Sequence, residues 1–298
     1  MNKGKIKFFG KITWVSEKGD TVKFHIEGIR FYGPPCEEEK VIIPKILRLS
    51  DLDRRDVLFQ PSISKRIHSH DEPLKLIKTV IVESIGTGKG PILCRSNQIG
   101  GASGFRELYI EDDIAIKPFA FGFLPIQKVR LPKDMINIPT RCFFCCENLK
   151  DVNWEELITL RKISAEAFED CHHLENVSLP KTLCAVGKSA FKGSGLKHLT
   201  FKGTKLSSVS SESFALCKDL ASVDLTGISF VAKAAFNGCA SLNSVKLDYC
   251  LSYIGKRSFS GTAIESADLT LCSIFGSKKD IEEAFPKTCA LKLPYYAF

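Results

Sequence analysis

A phenylalanine that returns at nearly constant intervals constrains this chain more than anything else in it. Phe119, Phe143, Phe168, Phe191, Phe214, Phe236 and Phe259 are separated by 24, 25, 23, 23, 22 and 23 residues. Five residues before each stands a β-branched residue: Ile114, Ile138, Ile163, Val186, Val209, Val231 and Ile254. A small residue usually precedes the ring directly, as at Ala167, Ala190, Ser213, Ala235 and Ser258. After the ring, four units place Leu, Val and a bulky apolar residue at fixed offsets. They are Leu149, Val152 and Trp154; Leu174, Val177 and Leu179; Leu220, Val223 and Leu225; Leu242, Val245 and Leu247. The units at Phe191 and Phe259 are one residue shorter in the turn, and the unit at Phe119 reads as one longer, reaching Ile126, Val129 and Leu131.

The offsets have a physical meaning. Leu-x-x-Val-x-Leu predicts a short strand whose alternate residues point inward. Val-x-x-x-Ala-Phe predicts a short helical turn with its apolar groups on one side. One unit cannot bury its own apolar face, so neighbours must stack. The expected fold is α/β: a right-handed leucine-rich-repeat solenoid, with a parallel sheet on one face, short helical turns on the other and an irregular β-rich N-terminal cap. The steps fall within the ~20–29 residues of such repeats.

The stretches "AFNGCASLNSVKLD", "SFALCKDLASVDLT" and "AFEDCHHLENVSLP" resemble the BspA-type leucine-rich repeat, over about residues 105–270. Members of that family are often adhesins or surface antigens of bacteria and parasitic protists. The resemblance implies a binding protein and brings no catalytic residues.

Composition agrees with a folded chain. Of 298 residues, 44% are hydrophobic and 26% charged, which disordered segments do not combine. The net charge of +8 permits an anionic partner without requiring one. No stretch approaches the ~20 apolar residues of a membrane span, and the N-terminus lacks the apolar core of a signal peptide. These features predict a cytoplasmic location, with the cell surface by another route as the alternative. Twelve cysteines are then expected to be reduced.

Cys171, His172 and His173 stand side by side and invite a metal-site reading. The register explains them otherwise. Cys171 shares its slot with Cys146, Cys217 and Cys239, and with Ser194 and Thr262 in the shortened units, so the slot selects small and weakly polar side chains. The histidines fall where other units place solvated turn residues. No metal, no cofactor and no essential disulfide are expected, and no catalytic constellation survives the repeat. Cys145, in a slot otherwise held by Asp, Gly or Leu, is the repeat thiol expected to be exposed and reactive. "GTGKG" (86–90) lacks the spacing of a phosphate loop and predicts a turn. "HSHD" (68–71) predicts a surface loop.

Residues 1–75 do not keep the repeat. "KIKFFGKITW" and "TVKFHIEGIRFYG" flank "SEKGD" and predict a β-hairpin. "SDLDRRDVLF" predicts a short helix, and "LIKTVIVES" a strand through Ile77, Val80 and Val82. The domain reading is a β-rich cap over 1–75, repeats over 76–270 and a C-terminal cap over 271–298. The lysine-rich segment 1–23 predicts a solvated strand edge, with contact to RNA or anionic lipid as a lesser alternative.

Function in a stacked-strand fold belongs to the outward strand residues. The candidates are Glu107, Tyr109, Lys128, Arg130, Asp151, Asn153, Glu155, Asn176, His198, Lys202, Asp224, Lys246 and Asp248. Their charges alternate and only Tyr109 is aromatic, which disfavours nucleic acid, where a basic stripe with stacking rings is wanted. The pattern favours non-catalytic binding of a protein partner; an adhesin or surface antigen is the alternative.

Overall fold

The structure, a computed structural model, describes residues 5–18, 20–32, 39–59, 79–89, 93–94, 105–274 and 278–294. The 68–71 loop and Ile77 fall outside the described residues. The chain divides into two compact units, Met1–Pro132 and Lys133–Phe298.

In the first unit, strands Lys5–Val15 and Thr21–Tyr32 form the expected antiparallel hairpin. Alternation builds its core: Val22, Phe24 and Ile26 are buried while Lys23 between them is exposed. Gly10 sits at a register shift of the pair, where a Cβ would overlap the His25 carbonyl. The strand Thr79–Ile85 buries Val80 and Val82 and runs parallel both to Thr21–Tyr32 and to Ala115–Ile116 of the first repeat.

Two expectations are corrected here. The "SDLDRRDVLF" segment is a single 3₁₀ turn, Leu49–Asp51, followed by the strand Leu52–Phe59, whose Leu52 is buried. The lysine-rich first strand is not an edge: it pairs with Thr21–Tyr32 on one side and Leu52–Phe59 on the other. Two of its lysines have internal partners. Lys11 pairs with Glu27 at 2.7 Å, and Lys7 donates to the Ser50 carbonyl. Farther along, Glu39–Ile43, Phe105–Ile110 and Lys128–Arg130 lie side by side in parallel.

The ring buried in this unit's repeat is Phe121, not Phe119. Counted from Phe121, Ile126, Val129 and Leu131 stand at the same offsets as Leu196, Leu199 and Phe201 after Phe191. The unit is therefore a shortened one, and Phe119 is its turn residue with φ of 60°.

The second unit stacks repeats around a column of parallel rings. Phe143, Phe168, Phe191, Phe214, Phe236, Phe259 and Phe285 follow one another at centroid distances of 5.0 to 5.6 Å. Each coil except that of residues 176–178 contributes the expected strand, such as His198–Thr200, Ser222–Asp224 and Ser244–Lys246, in parallel register. The coils of Phe143 to Phe259 also contribute a second short strand carrying the β-branched residue, as in Ser208–Val209, Phe230–Val231 and Tyr253–Ile254. Within 271–294 the chain keeps the repeat geometry: Phe285 joins the column and Ala290–Lys292 pairs with Ser266–Asp268.

Among the described residues the expected helical turns are absent from the coils of Phe143 to Phe259, and a short helix, Lys278–Glu282, precedes Phe285. Around each ring from Phe143 to Phe259 the chain makes successive turns in which the residues two before and two after the Phe are left-handed. Arg141 and Cys145, Glu166 and Asp170, and Glu212 and Leu216 have φ between 54° and 60°. Alternation of hand swings every second N–H sideways, out of the i→i−4 direction of a helix. The N–H groups of Arg141, Phe143 and Cys145 donate to the carbonyls of Ala165, Ala167 and Glu169 in the next coil at 2.8 to 3.0 Å. The same trio recurs from Glu166, Phe168 and Asp170 to Lys188, Ala190 and Lys192. Left-handed non-glycine residues cost about 1–2 kcal/mol each; the inter-coil bonds offset that cost.

Candidate functional site

The strand side of the second unit follows the predicted alternation. In His198–Thr200 the flanking residues are exposed and Leu199 is buried; Ser266–Asp268 repeats the pattern around Ala267. Register aligns the outward residues in rows, His198 beside Ser222 and Ser244, and Thr200 beside Asp224 and Lys246. His198 Nδ1 lies 2.9 Å from Ser222 Oγ, and Lys246 Nζ lies 3.5 Å from an Asp224 carboxylate oxygen.

These rows border a concavity of about 1190 Å³, lined by residues of five consecutive coils from Lys150 to Lys246. It brings together eight predicted residues: Asp151, Asn153, Glu155, Asn176, His198, Lys202, Asp224 and Lys246. Its lining holds four lysines and four carboxylates, so its charge is balanced. The prediction missed Trp154, Lys150 and Lys181, which also line it. The repeat places Trp154 inward, as the bulky residue of its unit; the one signal for it is an indole in a slot that other units fill with Leu or Phe.

The indole is buried against Phe168 at 5.4 Å and reaches Phe191, two coils on, at 6.4 Å. In the coil between, residues 176–178 form no strand, and among the described residues the backbone of 176–179 makes no hydrogen bond. Val177 and Leu179 are half-buried, whereas Val152, Leu199, Val223 and Leu225 are buried. Val245 and Leu247 are half-buried too, yet Ser244–Lys246 keeps its pairing with Ser222–Asp224.

Some predicted carboxylates serve the fold. Asp224 accepts from the Thr226 N–H and hydroxyl, which together with Lys246 hold its pKa below the usual carboxylate value against the opposing effect of burial. Asp248 uses both oxygens, accepting the N–H groups of Cys250 and Gly227 at 3.0 Å. The other candidates belong to the first unit. There Glu107 pairs in register with Lys128, and Tyr109 with Arg130. Lys40 Nζ sits 3.6 Å from the centre of the Tyr109 ring.

Among the described residues, no cluster of three or more His, Cys, Asp or Glu side chains is placed to hold a metal. His172 and His173 are exposed and each reaches a neighbouring coil's carbonyl, Gly193 at 2.8 Å and Glu147 at 2.7 Å. The cysteine slot has a further role: Cys171, Cys217 and Cys239 donate to the carbonyls of Phe143, Phe191 and Phe214 at 3.0 to 3.2 Å. Cys145 is not the accessible thiol expected from its slot. It is half-buried, with burial and Asp170 raising its pKa, and Cys184 is the exposed one.

Models of the BspA type leucine-rich repeat region match the chain in six copies, over residues 103–221 and 161–279, together more than half its length. No curated protein matches it in sequence. Similar solved structures include a leucine-rich repeat protein from Bacteroides ovatus, 14% identical, covering 100% of this chain and 68% of that one at a TM-score of 0.49. The pneumococcal vaccine antigen PcpA is 15% identical, with 97% and 82% covered and a TM-score of 0.47. A leucine-rich cell surface protein from Faecalibacterium prausnitzii is 14% identical, with 97% and 86% covered and a TM-score of 0.35. The cytoplasmic placement expected from the N-terminus does not stand, since the family model that matches is of the BspA type. Among the described residues no helix is long and apolar enough to cross a membrane. With parallel short strands in a β-rich repeat and six matched copies, the chain belongs to the BspA-type leucine-rich repeat family.

Proposed function

We propose that this chain is a non-catalytic protein-binding module that takes its partner on the strand side of the second unit. The observation that supports this most is the concavity of about 1190 Å³, to which five consecutive coils contribute outward side chains. Its balanced charge fits a protein surface, where complementary pattern sets partner choice, better than a polyanion, which wants a basic stripe. The partner-binding residues are Asp151, Asn153, Glu155, Asn176, His198, Lys202 and Lys246; Asp224 and Asp248 hold the strands that present them.

The test is site-specific photo-cross-linking in the native cells, with the cross-linker placed at Lys202 or Lys246 and, as control, at Lys218 on the turn side. Capture of one protein from both strand positions and not from Lys218 is the expected result. Equal capture from all three would overturn the reading. Display at a surface as an adhesin is the second reading, supported by membership of the BspA type; protease shaving of intact cells tests it.

A further inference from the structure

The second short strands carry an outward row of their own, and none of its residues lines the concavity. Six residues before the successive rings Phe143 to Phe259 stand Asn137, Lys162, Ala185, Ser208, Phe230 and Tyr253. Parallel register places Lys162 beside Asn137 and Ala185, and Phe230 beside Ser208 and Tyr253. From Lys162 onward the row therefore reads as a cation, then small side chains, then rings.

Phe230 and Tyr253 stack at 4.4 Å, within 9° of parallel, yet stay 42% and 41% exposed. Cross-strand attraction explains the pair; it does not explain why the stack ends with a face open. Ladder neighbours stand in line, so the face of Phe230 turned away from Tyr253 looks toward Ser208. A serine side chain is too short to cover a phenyl ring, and Ala185 beyond it is shorter still. The hydroxyls of Ser210 and Ser229 are spent on the Val186 and Ser207 carbonyls, whereas Ser207 and Ser208 are exposed. At the far end Lys162 and its sequence neighbour Arg161 are exposed too. Arg141, Lys188 and Lys192 on the nearby turns each hold a glutamate; among the described residues Arg161 and Lys162 hold none.

We infer that this row binds an acidic oligosaccharide, with one pyranose ring on the open face of Phe230 and a uronate carboxylate at Lys162 and Arg161. The C–H face of a sugar ring is electropositive and meets the negative face of the aromatic ring. Sugar hydroxyls exchange hydrogen bonds with Ser207 and Ser208, whose hydroxyls both donate and accept. The carboxylate forms charge-assisted bonds with the two cations. Lys162 lies three coils from Phe230, at ring spacings of 5.3 to 5.6 Å per coil, a span that an oligosaccharide covers and a single sugar does not. An apolar protein side chain could also stack on Phe230, but it would leave hydroxyls and cations desolvated along the rest of the row. The inference goes beyond the protein-binding reading and stands or falls apart from it.

The experiment titrates the full chain with tetragalacturonate by isothermal calorimetry. Three controls accompany it: the fully methyl-esterified tetrasaccharide, which keeps the rings and loses the charge; tetraglutamate, which keeps the charge and loses the rings; and N-acetyltryptophanamide, a planar ring without hydroxyls. Tetragalacturonate is expected to bind about tenfold more tightly than any of the three. Phe230→Ala should weaken it by about tenfold or more, and Arg161→Glu with Lys162→Glu by a similar factor. Ser208→Phe should do the same by filling the open place with a ring of the protein's own. Lys218→Ala should leave binding unchanged. The replaced side chains are exposed, so melting temperatures should stay close to that of the parent chain, and the three control ligands need no variant at all. Equal binding of any control ligand, undiminished binding by Ser208→Phe, or no saturation up to about 10 mM would overturn the inference.

Discussion

The ring of Phe285 stacks on that of Phe259 at 5.0 Å, within 18° of parallel. This contact carries the aromatic column into the last described coil, where Ala284 accepts the N–H of Phe259 as Ala167 accepts that of Phe143. The last described coil therefore continues the ring column, while the left-handed turns give way there to the short helix Lys278–Glu282.

The column sets the first prediction. Phe214→Ala removes a fully buried ring with a stacked neighbour on each side and should cost about 3–5 kcal/mol. Lys218→Ala, on the exposed turn of the same coil, should change stability by less than about 0.5 kcal/mol. Chemical denaturation midpoints separate the two; equal small losses would show that the ring does not carry the core.

Turn handedness gives the second. Gly238 has φ of +74°, and its equivalent one coil earlier, Leu216, has φ of 60°. Gly238→Ala should lower stability by about 1–2 kcal/mol through the left-handed penalty, with the new Cβ also crowding Leu216 Cδ2 at 2.7 Å. Leu216→Gly should hold or raise the melting temperature, because its exposed side chain gives up little packing. A loss on Leu216→Gly as large as that on Gly238→Ala would contradict the account.

The third concerns pH. His25 Nδ1 lies 2.5 Å from Ser84 Oγ across the parallel pair, with Glu27, Lys117 and Lys11 as its charged neighbours. Burial lowers its pKa, and Lys117 and Lys11 add to that, while Glu27 and the Gly86 backbone oppose it. The folded protein thus binds the proton less readily than the unfolded chain, whose imidazole titrates at about 6.5. Stability from this group is complete above the unfolded value and falls as pH drops through it toward the folded value. Urea midpoints at pH 7.5 and 5.5 should differ more in the wild type than in His25→Asn.

The fourth concerns the thiols. Burial pushes Cys142 and Cys171 well above the ordinary thiol value, whereas Cys184 is exposed. Timed maleimide labelling read by mass spectrometry should modify Cys184 first and Cys142 and Cys171 only on unfolding. All ten described cysteines are free, so mild reduction should leave the melting temperature unchanged. Early labelling of Cys171, or a large loss on reduction, would count against the repeat account of the slot.

What the amino-acid sequence determined alone is the repeat and its inward side: the phenylalanine interval, the Leu-x-x-Val-x-Leu strand and the small-residue slot each follow from local apolar spacing, which any stacked arrangement must bury. Even there one register slipped, because Phe119 and Phe121 are two apart and only burial distinguishes core ring from turn ring. Tertiary structure alone decided the turns. Arg141, Glu166 and Glu212 give no hint of left-handed backbone; the conformation is held by N–H groups that bond the next coil, some two dozen residues away. The candidate surface divided the same way. Alternation exposed the outward residues in advance, but not the indole of Trp154 that reaches Phe168 and, two coils on, Phe191. No spacing rule encodes that reach, since it arises from the size of one side chain within a close-packed stack.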